Sequence, residues 1–361
     1  MDGAGALFVI VPVFNSEKYL TQTLDSVLAQ PYKNIRIVCV DDGSPDNSIS
    51  ILQEYEKQYA NVCILQQDNA GVSAARNTGI EYVLAHCDKQ DYLCFLDSDD
   101  LWAKDSVTQQ TVADFVGMDC VGFSSIRCTH GLSRVTPAPG ISATVLRGGQ
   151  SSLWCHKGHP LGAVFYSCEL IRQYHIRFIH GLKYAEDGLF KFACMFLADK
   201  IRLVDQVLYL YRMNAESAMH SRNYGTDYMP EIIRGYMQTG TFLRQYESAT
   251  RGSADFCQIL AGVYAIEMVA EHYQNFRSRA SLEKYLMDNP DIACLIDLLD
   301  PDDLSDNHRY LYDMYVSNPQ KFRMYNYLKG IKLWGRNLIM RNKFFLIIGE
   351  KRRFSQNNVY L

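Results

Sequence analysis

The sequence lacks the features that mark several large classes of protein. Its longest apolar run near the C-terminus, FFLII, is far shorter than the roughly 20 residues that a membrane span needs. The N-terminus MDGAGALFVIVPVF carries an acidic residue where a secretion signal would carry basic ones, and no clear cleavage site follows it. We therefore expect a protein that is neither secreted nor membrane-spanning.

Excess charge and paired cysteines are also missing. The formal net charge is only -4, which argues against a general nucleic-acid binder. The cysteines number 11, an odd count, and none of them form a CxxC pair or a regular spacing. This pattern favours a reduced cytosolic protein over a disulfide scaffold or a structural zinc module.

What the chain does have is a regular alternation of apolar and amphipathic segments near its N-terminus. Short apolar runs, typical of buried parallel strands, alternate with segments of helical periodicity. The runs are ALFVIVPVF, IRIVCV, VCILQQ and YLCFL. Strand and helix alternating in this way predict a doubly wound α/β layer, in which ligands bind beyond the carboxyl ends of the strands.

Polar residues cluster at three of those predicted strand ends, in residues 12–15, 41–44 and 97–100. The last cluster, in FLDSDD, holds three carboxylates whose mutual repulsion is unfavourable unless a cation lies among them. Oxygen ligands of this kind suit Mg²⁺ or Mn²⁺, which typically uses one or two carboxylates plus substrate phosphates. The alternative is a solvated turn that caps a helix.

The remainder of the chain changes character twice. Residues 104–215 have a mixed α+β pattern, and the sequence after residue 225 is mostly helical. We divide the chain into residues 1–104, a nucleotide-binding half; 105–222, an acceptor-side half; 223–320, a helical extension; and 321–361, a basic tail.

The tail places apolar and aromatic residues on one side of a helical wheel and basic residues at the edge of that face. Residues 321–353 hold ten basic side chains and one acidic side chain, whereas residues 283–313 hold nine acids and two basic residues. Such a tail is typical of a helix lying on an anionic membrane surface. The alternative is that it docks on the acidic segment of the same chain.

Four motifs in order resemble one known family. PVFNSEKYL, VDDGSPDNS, NAGVSAARNTGI and FLDSDDLW closely resemble the nucleotide-sugar domain of inverting glycosyltransferases of family 2, and KYAEDGLF and YLYRMNAESAMH continue the resemblance more weakly. The resemblance implies a GT-A (Rossmann-like) α/β fold with a mixed α+β acceptor part and a mostly helical C-terminal extension.

The resemblance also implies roles in donor binding. Asp41 would bind the base of a uridine diphosphate (UDP) sugar, and Arg76 would contact the nucleotide. Pro12 and Phe14 would line the same pocket, and Asp97 would face the ribose.

The metal, Mn²⁺ or Mg²⁺, would be held by Asp99 with help from His220, whereas Asp100 would cap the following turn. A structural role for His220 stays open. Cys155, His156 and His159 could be read as part of a zinc site, but no second ligand pair follows, and loop residues on the acceptor side are the favoured interpretation.

On the acceptor side, the resemblance makes Asp187 the general base, although it could instead cap the helix that follows. The implied function is a metal-dependent inverting transfer from a UDP-sugar to a glycan or lipid-linked glycan in polysaccharide biosynthesis, at the inner face of the cell membrane. The QxxRW motif of processive synthases is absent, so we expect one sugar per visit. A polyprenyl-phosphate sugar synthase and a non-catalytic scaffold subunit are the alternatives.

Overall fold

A computed structural model of the chain describes residues 5–113, 115–129, 131–136, 145–146, 160–212, 228–246 and 287. The chain divides into two compact units, Met1–Asn223 and Tyr224–Leu361. Over these described stretches, no helix has both the length and the apolar character that crossing a bilayer requires.

The first seven elements alternate strand and helix, as the sequence predicts. They are β1 (Leu7–Val13), α1 (Leu20–Leu28), β2 (Ile35–Asp41), α2 (Ser48–Gln58), β3 (Val62–Gln66), α3 (Val72–His86) and β4 (Tyr92–Phe95). Every residue of β1 is buried, which is why its sequence is continuously apolar and not alternating.

The second part of this unit adds shorter and longer strands to the same sheet. Its elements are β5 (Leu101–Trp102), α4 (Gln109–Ala113), β6 (Cys120–Thr129), β7 (Gly131–Thr136), β8 (Val145–Leu146), β9 (Val164–Ser167), α5 (Cys168–Gln173), α6 (Glu186–Leu197) and β10 (Ile201–Arg212). A single 3-10 turn, Leu161–Ala163, leads into β9. This is the mixed α+β part that the sequence predicts.

All of these strands join one sheet with the order β3-β2-β1-β4-β9-β6-β10-β5, and β7 and β8 pair with β6 and β10. Strands β3, β2, β1 and β4 are parallel, whereas β9 is antiparallel to both β4 and β6. The chain leaves β1 toward β2 and later returns to the other side of β1 as β4. The switch point of the sheet, where ligands bind in such folds, is therefore the gap between the ends of β1 and β4.

Helix α3 packs unusually close to β1. A Cβ atom added to Gly79 would lie 2.5 Å from the Ile10 side chain, so only glycine fits this contact. Gly79 is the glycine of SAARNTG, and its role explains part of that motif: it brings the helix that carries Arg76 against the central strand.

In the second unit the described helix is α7 (Tyr228–Arg244), in agreement with the predicted helical extension. The other residues of the extension, apart from residues 245, 246 and 287, and the whole basic tail lie outside the described residues.

Candidate active site

The carboxyl end of β1 opens the candidate site. The paired register of β1 and β4 ends at Ile10 and Phe95, and the Leu96 amide donates to the Ile10 carbonyl (3.0 Å). Pro12 follows on the same edge without an N–H group, so it cannot extend this ladder. Beyond it, Phe14 is 49% exposed, an unusual position for a large aromatic ring next to a fully buried strand. The ring is available to stack on a planar ligand.

The two carboxylates at the end of β2 have different tasks. Asp42 accepts hydrogen bonds from the amides of Ala70 and Gly71 (both 2.9 Å) and from Gln67 Nε2 (2.7 Å), so it fixes the loop that starts α3. Asp41 accepts only a longer bond, from the Ser44 amide (3.3 Å), among the hydrogen bonds that are described. The sequence assigned a role to Asp41 and missed the structural role of its neighbour.

Arg76 connects two of the motifs. Its Nη2 lies 2.8 Å from Asp97 Oδ1, and its Nη1 lies 3.3 Å from Glu186 Oε1. The guanidinium lies over the Phe178 ring at 5.2 Å and is almost entirely buried. Burial lowers the pKa of Arg76, but Asp97 and Glu186 outweigh it, so the pKa is raised and the charge is retained. Arg76 therefore lies between the carboxylates as a buried cation.

The three carboxylates of FLDSDD occupy three different environments. Asp97 pairs with Arg76 and stays 42% exposed, and Asp99 is partly exposed. Asp100 is buried, and its oxygens accept hydrogen bonds from the Tyr209 hydroxyl (2.5 Å) and the Arg212 amide (2.7 Å). Burial, followed by repulsion from Asp97 and Asp99, raises the pKa of Asp100 well above its usual value.

These contacts correct the expectation that Asp100 caps the following turn. Its carboxyl group instead joins the acidic loop to β10, because both hydrogen-bond donors belong to that strand. The repulsion among the three acids is therefore reduced in part without a cation, since burial favours a proton on Asp100.

Arg212 is a site residue to which the sequence gave no role, although it lies in the quoted segment YLYRMNAESAMH. Its Nε donates to the Asp99 carbonyl (2.8 Å), its Nη2 donates to Gln22 (2.9 Å), and its guanidinium lies 4.7 Å from the centre of the Tyr19 ring. Arg212 thus fixes the backbone of the acidic loop against α1.

Glu186 and Asp187 begin α6 after a strained residue. Ala185, just before them, has a left-handed φ of 63°, which is costly for a residue with a Cβ. Asp187 is exposed, and its carboxylate accepts from the Gly188 amide (2.6 Å). Glu186 is nearly buried; burial and the charge of Asp187 outweigh Arg76 and raise the pKa of Glu186 to about 7.

The carboxylates that follow β4 and those at the start of α6 are hard oxygen donors of the kind that Mg²⁺ and Mn²⁺ prefer. Across the described part of the chain, no group of three His, Cys, Asp or Glu side chains is arranged as a metal site. The partly exposed Asp99 fits a cation that takes its remaining ligands from a substrate. His220, Cys155, His156 and His159 lie outside the described residues.

Most of the predicted site residues come from one edge of the sheet. Pro12, Phe14 and Asp41 lie at or just after the carboxyl ends of β1 and β2, and Asp97 follows β4. Direct contacts through Arg76 bring Asp97 together with the start of α6, where Asp187 lies. Within the described part of the chain, neither Phe14 nor Asp41 has a hydrogen bond or an ion pair with this group.

Several known proteins are similar in sequence to parts of this chain. The family described as Glycosyl transferase family 2 matches residues 8–177. The uncharacterized glycosyltransferase EpsJ of Bacillus subtilis strain 168 is 29% identical over 220 residues, which cover 58% of this chain and 61% of EpsJ. The minor teichoic acid biosynthesis protein GgaA of the same strain is 38% identical over 111 residues, covering 30% of this chain and 24% of GgaA.

A solved structure resembles the fold over most of the chain. The crystal structure of Staphylococcus aureus (S. aureus) TarS 1-349 in complex with UDP-GlcNAc has a TM-score of 0.60 at 19% identity, covering 90% of this chain and 92% of that one. The chain itself spans less than two thirds of EpsJ and about a quarter of GgaA. Motifs, sheet order and family match agree over residues 8–177: this part of the chain matches glycosyltransferases of family 2 and has the alternating α/β sheet expected of the GT-A fold.

Proposed function

We propose that the chain is a metal-dependent inverting glycosyltransferase that moves one sugar from a UDP-sugar to a hydroxyl group of a glycan or lipid-linked glycan. The observation that carries the proposal is the bridge made by Arg76, which joins Asp97 at the end of β4 to Glu186, the neighbour of Asp187. It brings donor-side and acceptor-side carboxylates to one place, as a direct displacement requires.

Donor binding uses the open edge of the sheet. The exposed Phe14 ring offers an apolar face to the uracil base, and Pro12 leaves the gap next to it open. Asp41 accepts a hydrogen bond from the base, and Asp97 faces the ribose. The TarS structure holds UDP-GlcNAc, which favours a uridine nucleotide over other nucleotides for a chain of the same fold.

Asp99 is the proposed ligand of a Mn²⁺ or Mg²⁺ ion that arrives with the diphosphate, and His220 is a further proposed ligand. When bound, such a cation supplies positive charge to the diphosphate oxygens. Arg212 holds the backbone of Asp99 in place through the Asp99 carbonyl, so the carboxylate is positioned before substrate arrives. The buried charge of Arg76 adds positive potential on the same side.

Asp187 is the proposed general base. Its carboxylate is exposed to an incoming acceptor and accepts a hydrogen bond from the Gly188 amide at the start of α6. It takes the proton of the acceptor hydroxyl while that oxygen bonds to the anomeric carbon. The bond from this carbon to the diphosphate oxygen breaks on the opposite face, which inverts the centre and releases UDP. The Glu186 carboxylate is paired with Arg76, so Glu186 is the weaker candidate for the general base.

The proposed acceptor is a cell-surface polymer or its lipid-linked precursor. Support comes from GgaA, a minor teichoic acid biosynthesis protein that is similar to part of this chain. The basic tail, residues 321–361, is proposed to hold the chain on the inner face of the membrane. Flotation with anionic liposomes tests this: full-length protein should float and a chain ending near residue 320 should not. Failure of the full-length chain to float favours docking on the acidic segment.

Calorimetry with UDP and Mn²⁺ tests the donor site. We expect binding that depends on the metal in the wild-type chain and that loses this dependence in Asp99→Ala. The matched control is Asp105→Ala, which removes an exposed carboxylate a few positions further along the chain. Wild-type protein without metal-dependent heat would favour the scaffold alternative. An Asp99→Ala variant with unchanged Mn²⁺ dependence would exclude this ligand assignment.

A panel of UDP-sugars, each tested for slow hydrolysis by the purified chain, then identifies the donor. Hydrolysis of one UDP-sugar above the others supports the proposed activity. Transfer to polyprenyl phosphate, assayed with the same donor, would favour the synthase alternative.

A further inference from the structure

Phe178 is a buried aromatic residue that lies outside every motif quoted from the sequence. It stands between α5 and α6, and only 2% of it is exposed. The Arg76 guanidinium lies over its ring, with the central carbon 5.2 Å from the ring centre. A cation at this distance is attracted by the negative face of an aromatic ring, most strongly where water is excluded. Phe178 is therefore a third partner of Arg76, in addition to Asp97 and Glu186.

The same ring contacts the elements that carry the two carboxylates. Phe95, two positions before Asp97, meets the Phe178 ring edge-on, with the ring centres 5.2 Å apart. Phe190, one helical turn after Glu186 in α6, stacks on the ring at 4.1 Å with nearly parallel planes. Because Phe190 covers one face of the ring, the other face is left to the guanidinium. Phe178 thus contacts the cation and a close sequence neighbour of each acidic partner.

Asn77 fixes the backbone that carries this ring. Its Oδ1 accepts a hydrogen bond from the Phe178 amide (2.9 Å), and its Nδ2 donates one to the Phe178 carbonyl (2.9 Å). Both bonds are buried, where an unpaired polar group is costly. Since Asn77 directly follows Arg76 in α3, one helix holds both the guanidinium and the ring on which it lies.

The hydrogen bonds of Arg76 alone fix its orientation only weakly. Its Nη2 is 2.8 Å from Asp97, but its Nη1 is 3.3 Å from Glu186. Its buried Nε has no hydrogen-bond partner within the described part of the chain. Asp97 is also the proposed partner of the donor ribose, so a bound donor competes for the shorter of the two bonds. The contact with the Phe178 ring uses no hydrogen-bonding atom and persists when the donor occupies Asp97.

We propose that Phe178 is a positioning residue for catalysis, which holds the Arg76 guanidinium between the donor-side and acceptor-side carboxylates while the donor is bound. The inference rests on the proposed transfer from a UDP-sugar. Negative charge develops on the diphosphate as its bond to the anomeric carbon breaks, so a displaced Arg76 stabilises the transition state less while the bound donor is little affected. Phe178 acts through Arg76 and not on the reacting atoms.

The first experiment changes the charge of the ring face with little change in its shape. Full-length chains carry phenylalanine, or phenylalanine with one, two or three ring fluorines, at position 178, because each fluorine withdraws electron density from the face. We expect the unfolding equilibrium constant in urea to rise with each fluorine, by about tenfold for three. The matched control is the same series at Phe123, a fully buried ring that packs against Phe115 and Phe165, where the change should stay below about twofold.

The same series in an Arg76→Met background isolates the cation. Without the guanidinium, the fluorines at position 178 should change the unfolding equilibrium constant by less than about twofold. An equal response with and without Arg76, or no response in either background, would overturn the proposal. If Arg76→Met does not fold, the comparison between the two positions decides, and equal responses at positions 178 and 123 overturn the proposal.

The second experiment measures the rate of the folded chain with the UDP-sugar that the hydrolysis panel identifies. Across the fluorine series at position 178, kcat should fall by about tenfold, whereas KM for the UDP-sugar should stay within about threefold of wild type. A ring that only supported the fold would leave kcat of the folded molecules unchanged. Active wild-type protein whose kcat does not respond to these fluorines therefore contradicts the positioning role alone. A wild-type chain that is inactive with every UDP-sugar contradicts the proposed function, and the positioning role with it.

Discussion

The two sides of the candidate site are held in place by different means. On the donor side, carboxyl groups accept hydrogen bonds from backbone amides: Asp42 from those of Ala70 and Gly71, and Asp100 from that of Arg212. On the acceptor side, Glu186 is held by one guanidinium, and the start of its helix is the strained Ala185.

The difference has a physical consequence. A carboxylate that bonds several amides fixes a loop whether or not a ligand is present, so the donor edge is preorganised. The acceptor side depends on the charges around Glu186. Burial and the charge of Asp187 oppose the ionised form of Glu186, whereas Arg76 favours it. Substitutions on the donor side should change stability or affinity, whereas those on the acceptor side should change rate and pH dependence.

The largest expected effect is on the rate. Asp187→Asn keeps nearly the same shape and can still cap α6, but it cannot take a proton. We expect UDP affinity near wild type, measured by calorimetry, and transfer or hydrolysis slower by about 10² to 10⁴. Transfer within a few-fold of wild type would contradict the base assignment and would make Glu186 the next residue to test.

The next effect is on the stability of the fold, through Arg76, which links the two sides of the site. Arg76→Met leaves Asp97 and Glu186 close together without their cation, and we expect a loss of about 3 kcal/mol in the free energy of unfolding, measured with urea. The matched control is Arg177→Met, which removes a partner of the exposed Glu81 and should lose less than about 1 kcal/mol. Equal losses in both variants would show that Arg76 is not a buried link.

Asp41 and Asp42 are adjacent carboxylates on the donor side, and substitutions of them should separate an effect on stability from an effect on UDP affinity. Asp42→Asn loses an acceptor for a backbone amide and should destabilise the fold by about 1–3 kcal/mol in urea. Asp41→Asn, which affects one longer hydrogen bond, should stay closer to wild-type stability while UDP affinity falls. If Asp41→Asn lost stability and Asp42→Asn lost UDP affinity, the structural and the nucleotide-binding roles would have to be exchanged between these two residues.

The remaining expected effect is on the pH dependence of stability. The pKa of Glu186 is raised from 4.5 to about 7 in the folded chain, so between these values the folded state binds a proton that the unfolded state has released. Wild-type stability therefore falls as pH rises through this window, by on the order of 3 kcal/mol at most.

Glu186→Gln removes this titration. Urea unfolding of both proteins at pH 5 and pH 8 should show the variant gaining stability relative to wild type at the higher pH. Parallel behaviour at the two pH values would mean that Glu186 titrates as an ordinary exposed carboxyl group.

Local sequence patterns were sufficient for the first seven elements. Continuous apolar runs of four to seven residues between helical segments have few other solutions, so β1, β2 and β4 lie where the pattern predicts them. The motifs at their ends gave the family, and the family match agrees. Roles that came only with the resemblance, such as those of Asp41 and Asp99, stay predictions.

The partners of charged side chains could not be predicted. Asp42 and Arg212 each depend on contacts with residues far away in sequence, and no local pattern contains that information. The expected cap at Asp100 was wrong for this reason: the sequence shows a helix-capping residue type, but β10 supplies nearer donors.

The sequence by itself determined the alternation of strands and helices, the family, and the residue types available at the strand ends, because these depend on local periodicity and short motifs. Only the tertiary structure decided which of three adjacent acids is buried, which pairs with Arg76 and which is left partly exposed. The physical reason is that protonation and pairing depend on burial and on charges brought together by the sheet, and these distances exist only after folding.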